Sequence, residues 1–160
     1  LADRIKGITV EIGGDTVGLD KALKGVNNTS RNLQKELRDV QKLLKFDPNN
    51  VELMAQKQKL LNDQIENTEK KLNQLKEAES QVQAQFERGD IGAEQYRAFQ
   101  RELQDTAQYL QHTQNQLNDL SNEQQKVQSS TQELGRLFLA TNSSLEEYAD
   151  TLGTKLVRAI

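Results

Sequence analysis

An apolar residue recurs at alternating steps of three and four along most of this chain. The longest run reads Tyr96, Phe99, Leu103, Thr106, Leu110, Thr113, Leu117, Leu120, Gln124, Val127, Thr131, Leu134, Phe138, Thr141, Leu145, Tyr148 and Leu152. The mean step is about 3.5 residues, the heptad period of helices that pack along a narrow stripe. A helix so patterned buries one edge and leaves the rest in water. Such chains make length and lateral contacts rather than enclosed pockets.

Composition points the same way. Of 160 residues, 34% are hydrophobic, 4% aromatic and 28% charged, well below the roughly 45–50% apolar content of ordinary globular domains. Tryptophan is absent and the single proline is Pro48. A thick core is therefore not expected. The fold class expected is mainly α, with long amphipathic helices forming coiled coils, a helical hairpin among them, and one short N-terminal β-strand.

The net charge is −3, with the signs interspersed. Lys45, Lys57, Lys59, Lys70 and Lys71 are offset by Asp47, Glu52, Asp63, Glu66 and Glu69. No basic face is broad enough to neutralise phosphates, so no direct nucleic-acid site is expected. Without cysteine there is neither disulfide nor thiolate metal site. Leu137-Phe138-Leu139-Ala140 falls far short of the ~20 residues that span a bilayer. The chain starts at Leu1, and its amphipathic pattern reaches Ile160. It is expected to be a fragment of a longer protein.

Ile8-Thr9-Val10-Glu11-Ile12 alternates at period two and predicts a strand, ended by Gly13-Gly14 within residues 1–16. The strand needs a partner from another segment, another copy or another protein. Asp15 or Thr16 would cap a first helix over residues 17–46, whose seam includes Leu33, Leu37, Val40 and Leu44. Asp47-Pro48 interrupts it, with Asp47 suited to cap the next helix and Pro48 to its first position. That helix is expected to reach residue 88, with Leu61, Ile65, Leu72 and Leu75 on its seam. Leu44 and Val51 lie one heptad apart, so a kinked rod and a folded-back turn both remain open at Pro48.

Gly89 and Gly92 mark the next break, and here the heptad phase also fails. Residues 47–128 are therefore expected to form a coiled-coil hairpin turning near 88–92. The returning seam carries Phe99, Leu103, Leu110, Leu117 and Leu120. Residues 129–160 read as a further amphipathic helical segment, with Leu134 and Phe138 on the stripe and capping boxes at Ser130–Glu133 and Ser143–Glu146. Seam positions held by Gln58, Thr68, Glu79, Thr106, Thr113 and Gln124 cost stability and can fix register or oligomer number.

No chemistry converges. His112 is the single histidine and lies off the seam. Gly13-Gly14 lacks the further glycines and lysine of a phosphate-binding loop, and no Gly-x-Ser-x-Gly elbow occurs. Arg88-Gly89-Asp90 spells an adhesion tripeptide, but a turn accounts for it. No catalytic, cofactor-binding or metal-binding residue is assigned, no cofactor is expected, and the chain is read as a non-enzyme.

Several local strings carry a resemblance. Ile5-Lys6-Gly7-Ile8-Thr9-Val10-Glu11-Ile12-Gly13-Gly14-Asp15 and Gly18-Leu19-Asp20-Lys21-Ala22-Leu23 resemble the N-terminus of tail tape measure proteins from siphophages of Gram-positive bacteria. Leu43-Leu44-Lys45-Phe46-Asp47-Pro48-Asn49-Asn50-Val51-Glu52-Leu53 and Gly89-Asp90-Ile91-Gly92-Ala93-Glu94-Gln95-Tyr96 are similar to further segments of that family. The resemblance implies a structural protein that lies in the lumen of the growing tail, scaffolds tube assembly and sets tail length. It implies as partners further copies of the chain in a homo-oligomer such as a trimer, the tail tube protein and tail assembly chaperones. It places the chain in the virion tail, and in the host cytoplasm during assembly. A cellular coiled-coil scaffold or a secreted helical-hairpin effector is the alternative.

Overall fold

The computed structural model describes the backbone of residues 5–159 and the side chains of residues 5–140. Seam positions Thr141, Leu145, Tyr148, Leu152 and Leu156 have side chains outside the described set, and Ile160 lies outside it altogether. The chain is mainly α, with long helices and one short two-stranded hairpin. It divides into two compact units, residues 1–120 and residues 121–160.

The first unit opens on β1 (Thr9–Ile12) and β2 (Asp15–Gly18), paired antiparallel with Val10 opposite Val17 and Ile12 opposite Asp15. The strand's partner is thus its own neighbour, and residues 15–18 are strand rather than the start of a helix. Gly13 (φ 59°) and Gly14 (φ 87°) make the difference. Two consecutive residues at positive φ form the two-residue turn whose twist matches a hairpin, and glycine adopts it without strain. Helix then begins at Leu19, later than expected, with α1 (Leu19–Ala22), a break at Leu23, and α2 (Lys24–Phe46).

Helix α3 (Val51–Glu87) starts three residues beyond Pro48. Asn50 caps it by accepting the Leu53 N–H at 3.0 Å, while Asp47 closes α2 and accepts from Asn50 Nδ2 at 3.1 Å. The expectation that Asp47 caps the second helix is corrected here. An Asn two residues after the proline supplies the same side-chain acceptor closer to the apolar run.

The end of α3 closes in a Schellman arrangement. Asp90 N–H donates to the Gln85 carbonyl at 2.9 Å and Gly89 N–H to that of Phe86 at 3.1 Å, with Gly89 at φ 78°. Helix α4 (Ala93–Ala159) follows. Its Gln95 side chain accepts the Gly92 N–H at 2.9 Å, half of a capping box. Ser130–Glu133 and Ser143–Glu146 start no new helix, because both lie within α4.

Side-chain pairings set helix direction in the first unit. Asn67 reaches the Val26 carbonyl and Gln64 reaches Ser30, so α2 and α3 run antiparallel. Gln64 also bonds Tyr109 and Lys71 bonds Glu102, so α4 returns antiparallel to α3. The β-hairpin packs at the end of this three-helix arrangement where α3 turns into α4. Ile8, Val10, Leu19 and Leu23 join Leu75, Val82, Ile91 and Phe99 in one buried cluster. Burial of each Leu or Phe contributes roughly 1.5–3 kcal/mol.

Candidate functional site

The residues most able to carry function are those through which helices meet. On α2, Leu37 and Val40 are buried, while Leu33 and Leu44 are half-buried. On α3, Leu61 and Leu75 are fully buried, while Ile65 and Leu72 are half-buried. On α4, Phe99 and Leu120 are buried, while Leu103, Leu110 and Leu117 are half-buried. These lie within the first unit. In the second unit, Leu134 and Phe138 are each 67% exposed, beside the exposed Leu137 and Leu139. Pro48, Gly89 and Gly92 sit exposed in the two interhelical turns.

Helix α3 buries more than one stripe. Leu60, Gln64, Ala78 and Gln85 are buried although they stand off the 3–4 ladder. A helix between two neighbours needs a second contact edge, and α3 meets both α2 and α4. The adjacent Leu60-Leu61 pair was the available sequence signal, since two consecutive leucines cannot share one narrow stripe.

The described threonines of the seam are satisfied within their own helices. Thr68 donates its hydroxyl to the Gln64 carbonyl at 2.6 Å, Thr106 to Glu102 at 2.7 Å and Thr113 to Tyr109 at 2.8 Å. Each hydroxyl thus closes on the preceding turn, which lets threonine serve as a small buried spacer. Thr131 in the second unit does the same to Val127 at 2.9 Å.

Gln64 is fully buried, and its Nε2 donates to Ser30 Oγ and Tyr109 Oη, each at 2.8 Å. One amide therefore ties α2, α3 and α4 at a single level. Seven residues along α3, Lys71 Nζ meets Glu102 Oε1 at 2.6 Å, with side chains only 18% and 8% exposed. Buried polar layers of this kind penalise helices that slip by a turn, because slippage strands a charge or an amide.

A second polar device holds the hairpin. The outer edge of β1 faces α3. Gln85 accepts the Thr9 N–H at 3.2 Å and donates to its carbonyl at 2.6 Å. One turn earlier, Gln81 accepts the Glu11 N–H at 2.7 Å. Two residues of strand advance about 6.8 Å and four of helix about 6 Å, so glutamines at this spacing can serve alternate strand residues. Gln85→Leu should strand both Thr9 backbone groups, costing about 2–3 kcal/mol. Amide exchange at Thr9 and Val10 should accelerate by at least tenfold while helical circular dichroism holds. Unchanged protection at both amides would contradict the clamp.

No group of three or more His, Cys, Asp or Glu among the described residues is placed to hold a metal ion. His112 is exposed. In the Arg88-Gly89-Asp90 turn, Arg88 Nε donates to Asp90 Oδ2 at 3.0 Å, so the two charged groups engage each other. Lys59, exposed to solvent, pairs with Asp63 at 2.9 Å, and that hydrogen bond raises its pKa. No helix among the described residues is long and apolar enough to cross a membrane.

Comparison with known proteins gives one informative likeness. The chain is similar to the "Probable tape measure protein" of Lactococcus phage SK1, 40% identical over 73 residues, which is 46% of this chain and 7% of that relative. The match thus spans less than a tenth of the relative's length. No family model matches the chain, and no solved structure matches it significantly.

Proposed function

We propose that this chain is part of a phage tail tape measure protein, a structural and non-enzymatic component that occupies the tail tube lumen and sets tail length during assembly. The observation that carries this reading is the 40% identity to a tape measure protein over 73 residues. The long helices are compatible with it, since a helix converts residue number into distance at about 1.5 Å per residue. On this reading the chain acts in the virion tail and, during assembly, in the host cytoplasm. Its partners are the tail tube protein, tail assembly chaperones and further copies of itself. The seam from Leu33 to Phe138 then serves first within the chain and, at Leu134 and Phe138, between copies.

A folded-back α3–α4 pair measures less length than a rod. On this reading the bundle is the form of the free protein, and it opens inside the tube. The Gln64–Tyr109 and Lys71–Glu102 pairs bring residues 54 and 119 to one level of the bundle. Spin labels at the exposed Ala55 and Asp119 should lie on the order of the 10 Å helix spacing apart in free protein. In assembled tails they should separate to about 95 Å if helix is continuous between them. A short distance that persists in the tail would count against extension.

A further inference from the structure

Between the β-hairpin and α3 lies a groove of about 160 Å³, close to the size of a cavity that accepts one benzene-sized group. Its apolar lining includes Val10, Leu23 and Ala78, and Ile12 beside them is 55% exposed. The charged residues lining it are Glu11 and Glu77. Both are exposed, and neither has an ion-pair partner among the described residues.

We infer that this groove is a docking site for a basic partner segment that inserts one apolar side chain between flanking lysines or arginines. The volume fits a single leucine or phenylalanine anchor, the form in which interface energy concentrates. The two unpaired carboxylates favour cationic flanks and disfavour acidic ones. A second copy of the whole chain fits less well, because its net charge is −3. The inference rests on the groove alone and stands apart from the tape-measure reading.

The probe is a fluorescein-labelled peptide of alternating lysine and leucine, titrated with the intact chain and followed by anisotropy. Binding should be measurable, should weaken as salt rises, and should be absent for the matching glutamate–leucine peptide. The double variant Glu11→Lys/Glu77→Lys alters exposed side chains only and should weaken binding at least tenfold with an unchanged melting curve. Ile12→Ser should weaken it several-fold. Reversal at two other exposed sites, Glu69→Lys/Glu123→Lys, should leave it within twofold, which separates the groove from general acidity. No binding to the wild-type chain, or equal losses in both double variants, would overturn the assignment. So would a groove variant that changes solution mass without changing peptide affinity, since the occupant would then be another copy.

Discussion

Leu75→Asp unfolds the three-helix unit. Leu75 is fully buried in the cluster that joins α3 to the β-hairpin and α4. Removing a buried leucine costs about 2–5 kcal/mol through lost burial and the space left behind. The carboxylate adds several kcal/mol more, because the cluster around it is apolar and offers no charged partner. Their sum matches or exceeds the lower part of the 5–15 kcal/mol range typical of domains. Far-UV circular dichroism at 25 °C should fall sharply, since long helices with thin seams are marginal once their partners are lost. Leu134→Asp is the contrast. That side chain is 67% exposed, so the melting midpoint of the first unit should hold. A folded Leu75→Asp variant would refute the packing described.

Glu102→Leu should destabilise the same unit by about 3–5 kcal/mol, because it leaves the Lys71 ammonium mostly buried and unpaired. Lys71 and Glu102 are 2.6 Å apart, with 18% and 8% of their side chains exposed. The double variant Lys71→Met/Glu102→Leu should recover most of that loss, ending within about 1 kcal/mol of the wild type. A packed apolar pair matches a buried ion pair because neither carries a desolvation cost left unpaid. Urea midpoints of the single and double variants decide the matter. Equal losses in both would mean that the site tolerates no apolar replacement and that charge pairing is not the cause. The variant also tests register, since the apolar pair allows α4 to slide where the ion pair does not.

The helices could be read from the sequence because their signals are local. Leu61, Leu75 and Phe99 stand on the 3–4 ladder, and the glycines at 89 and 92 stand where the heptad phase breaks. β2 was hidden by ambiguity of the same kind. Asp15-Thr16 makes a good helix cap in isolation, yet Gly13-Gly14 between two alternating stretches is equally a hairpin turn. Tertiary pairing of Val10 with Val17 decided between them. The Asp47 cap failed similarly, because Asp47 and Asn50 both offer an acceptor and only the α2–α3 turn geometry selects Asn50. Gln64, Gln81 and Gln85 could not be singled out at all. Glutamine is abundant on wet helix faces, and nothing in a single sequence marks the few that meet a strand edge or another helix. The groove at Val10 and Ala78 was invisible for that reason too, since it exists only once the hairpin folds onto α3.

The likeness to a tape measure protein covers 46% of the chain, and tail length itself is the direct readout of a measuring role. Residues 93–134 comprise six heptads and can be duplicated in frame without disturbing the phase of the seam. If chain length sets tail length through extended helix, electron micrographs of phage carrying the duplication should show tails longer by about 63 Å. Complete, infectious tails of unchanged length would contradict the measuring role.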